Sequence, residues 1–227
     1  MPPFRRMLWR KRTLFWAAVL AASALLLSNL PLFNILGYEF SFIFALLGSF
    51  TGVHLGSRVV TLTRDADESL LLGTLPAAVV LAKIVVRSVL VVWLLLLPPL
   101  LIITANALRV RNCNLIGGLA FFAIMPLLSS AIATIVGVLS SLSLRRGLLA
   151  TVAALGVVLF SLAWGVYRFY SEPPIFAYDP FAGYFPGTLY DEDIAIRWPF
   201  VFARLQQISW TGVALLIAHR HLDTTTL

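Results

Sequence analysis

The chain has 227 residues, 60% of them hydrophobic and 12% charged, with a mean hydropathy of +0.93. No soluble domain of this length needs so much apolar surface, so the composition predicts an all-α protein: a polytopic membrane helical bundle. The net charge of +7 comes from basic residues that flank apolar runs, which points to membrane lipid and topology rather than to nucleic acid. The single cysteine, Cys113, excludes an internal disulfide.

Residues 1–13 carry Arg5, Arg6, Arg10, Lys11 and Arg12 interleaved with Phe4, Leu8 and Trp9, which suits an interfacial segment on the cytoplasmic side. The apolar run that follows, Leu14 to Leu32, is long for the apolar region of a signal peptide and reads as a retained first span. After a turn, a second span runs from Phe40 to Leu62. It carries Gly48, Gly52 and Gly56, one per helical turn on one face, a small-residue stripe that lets a neighbouring helix approach closely.

Residues 63–82 are polar and then leucine-rich, and they sit between two apolar spans. The third span, Ile84 to Leu108, contains Pro98-Pro99, which predicts a kink or an unwound turn. A linker from Arg109 to Asn114 leads to the fourth span, Leu115 to Leu142, with a second small-residue stripe at Ser129, Ala133, Gly137 and Ser141. The fifth span is Leu148 to Tyr167. Residues 168–199 hold prolines, acids and aromatics, among them Tyr178, Phe181, Tyr184 and Tyr190, and predict an external segment that lies at the interface or re-enters the membrane. The sixth span is Phe200 to Ala218.

Six spans place both termini on one side. A cytoplasmic N-terminus puts Arg5, Arg6, Arg10, Lys11, Arg12, Arg58, Arg64, Lys83, Arg87, Arg145, Arg146 and Arg220 inside, against Arg109, Arg111, Arg168, Arg197 and Arg204 outside. That excess favours both termini being cytoplasmic, with the Arg109–Arg111 linker running against the rule.

The segment on which the functional reading turns is Asp67-Glu68-Ser69-Leu70-Leu71-Leu72-Gly73-Thr74-Leu75-Pro76, followed by Lys83. Acids at the start of a short helix complement its dipole, and leucines behind them give it an apolar side. Such a segment between spans reads as an ordinary solvated loop, as an amphipathic stretch lying on the inner leaflet, or as a docking element for a soluble partner. With the Ser140-Ser141-Leu142-Ser143-Leu144-Arg145-Arg146 exit of the fourth span and the long outer segment, this stretch resembles the permease subunits of type-2 ABC transporters. Here Gly73-Thr74 follows the leucines, whereas the family usually has it before them. The resemblance implies a cytoplasmic coupling helix at 63–82, with Asp67, Glu68, Leu71, Leu72, Gly73 and Pro76 docking a separate ABC-type ATPase subunit. It also implies a second permease copy or homologue, and a bacterial cytoplasmic (inner) membrane.

No phosphate-loop motif occurs, so the chain needs no cofactor of its own and ATP would be used by the partner. No His-Glu-x-x-His occurs, and His219 and His221 in the tail have no further ligands for a metal. His54 lies within the second span and reads either as a functional intramembrane group or as a neutral histidine bonded to a neighbouring helix. Arg87 and Arg204 enter their spans and are long enough to snorkel to opposite faces. The serines of the fourth span have no partnered base in reach, so the chain is not expected to be an enzyme. The competing reading is a transmembrane anchor or scaffold module of a larger membrane-bound enzyme or complex.

Overall fold

The structure, a computed structural model, describes residues 11–64, 76–144, 146–171, 177–185 and 194–221. Seven α-helices are found in chain order among them: α1 Lys11–Leu27, α2 Tyr38–Arg64, α3 Ala77–Asn106, α4 Leu115–Phe122, α5 Leu128–Ser143, α6 Gly147–Ser171 and α7 Trp198–His221. A π-helical turn, Ala123–Leu127, joins α4 to α5, so the two form one rod from Leu115 to Ser143. Five rods are long and apolar enough to cross a membrane: Tyr38–Val60, Ala77–Asn106, Leu115–Ser143, Gly147–Ser171 and Trp198–Arg220. The protein is an integral membrane protein built as an all-α helical bundle. The first predicted span ends earlier than expected: α1 stops at Leu27, and the chain turns from Ser28 onward.

The helix bounds shift the expected segments. α2 runs to Arg64 and α3 begins at Ala77, so residues 77–82 belong to the third helix. Pro76 stands at the N-cap of α3 with ψ 139°, an extended geometry that lets the chain enter a helix directly after it. α3 continues through Pro98 and Pro99 to Asn106 without an unwound turn. Each proline removes one N–H, at most one intrahelical bond apiece, and the surrounding ladder carries the helix across. The sequence reading overlooked Pro126, which coincides with the π-turn. There the Trp93 indole of α3 donates to the Leu127 carbonyl at 2.9 Å.

The loops fix which helix ends share a face. Asn106 donates its amide to the carbonyls of Ser28 (3.3 Å) and Asn34 (2.7 Å), and Asn112 donates to Leu36 (3.1 Å). Arg109, the linker arginine that runs against the topological rule, donates to Asn29 at 3.0 Å. Asn114 caps α4 by accepting from the Gly117 N–H. The α1–α2 and α3–α4 connections therefore lie together at one end, with Tyr38 beside them. The ends of α2 and α5 and the start of α6 lie at the other, where Ser141 donates to the Ser57 carbonyl (2.8 Å) and Ser57 meets Thr151 (2.7 Å).

α2 is the central helix. Of its most apolar stretch 67% is buried, against 11% for α7. It packs along α5 with backbones nearly touching. A Cβ built on Gly48 would sit 3.2 Å from the Ser130 Cβ, and one on Gly52 only 2.7 Å from the Ser130 carbonyl. One on Gly56 would strike the Thr134 carbonyl, and from the other side Gly137 faces the Val53 carbonyl at 2.6 Å. Glycine is the side chain these positions have room for.

Candidate functional site

Between α6 and α7 the chain turns back into the bundle. Ala177–Asp179 and Gly183–Phe185 pair as an antiparallel hairpin, with Tyr178 opposite Tyr184, and Pro180-Phe181-Ala182 form the apex. A two-stranded hairpin is marginal by itself. Non-helical backbone at membrane depth also has to be enclosed by protein, because lipid offers its amides no partners. This one is enclosed. Phe181 accepts from the Ser49 hydroxyl at 2.9 Å, and Tyr184 accepts from the Tyr38 hydroxyl at 2.7 Å. Ser49 lies eleven residues along α2 from Tyr38, so the apex reaches about 16 Å down the bundle.

The apex is held from both sides by opposite charges. The Asp179 carboxylate accepts from the N–H groups of Phe181 and Ala182, both at 2.7 Å, and from the Ser161 hydroxyl of α6 at 2.5 Å. The Arg204 guanidinium of α7 donates to the carbonyls of Asp179 (3.3 Å) and Pro180 (3.1 Å). It also donates to Gln207 (2.8 Å) and to the Ser129 hydroxyl (2.8 Å), and lies 5.2 Å from the centre of the Phe200 ring. Only 3% of Arg204 is exposed, and its Nε makes no hydrogen bond. Gly183, at φ +105°, adopts a backbone suited to glycine, and a Cβ there would lie 2.6 Å from Met125.

An aromatic cluster surrounds the node. Tyr184 packs against Tyr38 (5.3 Å between ring centres) and Phe200 (4.6 Å). Beside the hairpin, on the α2–α6 side, lies an apolar groove of about 210 Å³ lined by Phe42, Leu162, Gly165, Val166, Phe169 and Phe185, with Asp179 and Tyr184 at its polar edge.

The sequence-predicted residues fall in different places. Gly48, Gly52, Gly56, Ala133 and Gly137 lie in or beside the α2–α5 contact, whereas Ser129 uses its hydroxyl to bind Arg204. Arg204 does not snorkel as expected. Four acceptors inside the bundle satisfy it better than a headgroup at the end of its reach would, and the hairpin seals it from lipid. Arg87 is half-buried on α3. The His54 ring stands 6.1 Å from the Trp16 ring of α1. Pro76 is described, but Asp67, Glu68, Leu71, Leu72 and Gly73 lie outside the described residues, as do residues 1–10. Among the described residues no group of three His, Cys, Asp or Glu side chains could hold a metal.

The sequence reading missed the Asp179–Ser161–Arg204–Gln207 node. One signal was present: Asp179-Pro180 followed by Gly183 is a turn-initiating pattern, with an aspartate able to accept from its own backbone two and three residues on. No family model, curated protein or solved structure matches this chain.

Proposed function

We propose that the chain is the membrane-spanning permease subunit of an ATP-driven transporter in a bacterial cytoplasmic membrane. A separate ATPase subunit hydrolyses ATP and docks on the 65–76 connection through Asp67, Glu68, Leu71, Leu72, Gly73 and Pro76. A second copy or homologue completes the transport path.

The observation that carries this reading is the placement of α2. One unbroken helix, 27 residues from Tyr38 to Arg64, leads to the 65–76 connection and in its first half holds the re-entrant hairpin through Tyr38 and Ser49. Its glycine face locks it to α5, so a push at the docking end moves α2 and α5 together as one packed body. The hairpin is bonded to α2, α6 and α7 at once, Arg204 carries the link on to Ser129 of α5, and the hairpin feels any relative motion among them. Rim acids guide the encounter with the ATPase, and the leucines supply most of the affinity.

Replacing Leu71 and Leu72 together by Ser tests the reading. The expected result is loss of ATPase copurification, or ATP hydrolysis uncoupled from transport, with membrane insertion intact because the flanking helices are untouched. If no ATPase copurifies with the native chain from its own cell membrane, the coupling role falls, and the transmembrane anchor or scaffold becomes the better account.

A further inference from the structure

We propose that the groove between α2, α6 and the hairpin is a binding site for a single hydrocarbon chain of a membrane lipid. The proposal goes beyond the permease reading and does not depend on an ATPase.

The first argument is size and lining. The groove holds about 210 Å³ between Phe42, Leu162, Val166, Phe169 and Phe185. Apolar cavities of about 150 Å³ stay dry and take up a benzene molecule, so a space of this kind favours hydrocarbon over water. From Leu162 to Tyr170 the groove follows about 12 Å of α6, an elongated shape suited to a chain.

The second argument is access. The rim is open where the bundle meets lipid: Val166 is 57% exposed, Tyr170 83% and Phe185 44%. The third is Gly165. It lines the groove, and a Cβ built on it meets nothing within 4 Å, unlike the glycines of the α2–α5 contact. Among the described residues its missing side chain makes room for no neighbour, and it keeps the groove open.

The test uses the full chain in phosphatidylcholine vesicles, without ATPase or nucleotide. The vesicles contain a low fraction of phosphatidylcholine bearing a diazirine in its acyl chain, and adducts are mapped by mass spectrometry after irradiation. Leu162 and Phe169 are half-buried, whereas Phe160 on the same helix is 70% exposed and lies outside the groove. A bound chain labels Leu162 and Phe169 at least as strongly as Phe160. Gly165→Leu removes the labelling at Leu162 and Phe169 but not at Phe160. Gly156→Leu adds the same bulk to α6 outside the groove, where a Cβ also meets nothing, and leaves the labelling at Leu162 and Phe169 unchanged. Both variants should keep a cooperative melting transition, because a Cβ at either position meets nothing within 4 Å. Labelling that simply tracks exposure overturns the proposal, as does labelling that survives Gly165→Leu. A chain-to-chain cross-link seated in the groove overturns it too, since a second copy is then the occupant.

Discussion

The same residue type plays opposite parts on the two sides of this bundle. On α2, the atoms of Ser130 and Thr134 stand where the side chains of Gly48, Gly52 and Gly56 would be. On α6 and α7, Gly156, Gly165 and Gly212 look into open space. A small residue in a membrane helix thus marks either a backbone contact or a surface left clear, and the neighbouring helix decides which. The molecule divides accordingly. α2 and α5 form a locked pair with little freedom to slide, and α6 and α7 present broad apolar faces, among them Phe160, Trp164, Trp210 and Leu216. The hairpin bridges the two sides through Ser49 on one and Ser161 and Arg204 on the other.

The largest effect that separates these sides is expected at Gly56. A Cβ there runs into the Thr134 carbonyl, a backbone atom that cannot rotate away. Gly56→Leu should therefore separate α2 from α5 and leave no monodisperse protein in detergent. Gly52→Leu should act in the same direction. Overpacking a core typically costs about 1–3 kcal/mol, and more where backbone must move. Wild-type size-exclusion and melting profiles for Gly56→Leu would show that the two helices are not locked and would break the comparison.

Next comes the bridge. Arg204→Met keeps the bulk of the side chain and removes every donor to Asp179, Pro180, Gln207 and Ser129. Removing one member of a buried charged network costs about 3–5 kcal/mol. The expected outcome is a lower melting temperature together with faster amide exchange at residues 179–184. Arg204→Lys should recover only part of the loss, because an ammonium cannot reproduce the planar fork that reaches acceptors on three elements. Protection of the hairpin unchanged in Arg204→Met would mean that Asp179 and the aromatic cluster hold it alone.

These two expectations also mark how far the sequence could be read. The helices and the glycine face were legible because apolar length and a four-residue spacing are local properties of the chain. The contact between α2 and α5 follows from that spacing once a partner helix with its own small residues is present. The node was not legible, because its members lie at 129, 161, 179, 204 and 207 and meet only when four elements converge. Arg204 looked like a snorkelling arginine because its position near a helix end is all that sequence supplies. Pro98 and Pro99 misled for a similar reason: a proline removes one bond locally, and whether the helix gives way depends on the packing around it. What Gly165 faces could not be read, since a glycine outside such a four-residue stripe has no spacing to place it.

The smallest effect is expected on the open side, with the opposite sign. Gly156→Ala and Gly212→Ala add a methyl group where no atom stands within 4 Å. No contact is lost, and alanine restricts the unfolded backbone more than glycine does. A helix interior gains up to about 1 kcal/mol from this exchange. Melting temperatures should stay level or rise slightly, the reverse of any substitution at Gly52 or Gly56. The leucine variants sharpen the point. Gly212→Leu should also be tolerated if the α7 face meets only lipid, because lipid tails rearrange around a new side chain. A second copy of the chain cannot rearrange so readily. If Gly212→Leu converts a two-chain species into single chains while its own fold melts normally, the open face of α7 is an interface completed by that copy. The contrast between the two sides would then be one between contacts made within a chain and contacts made between chains.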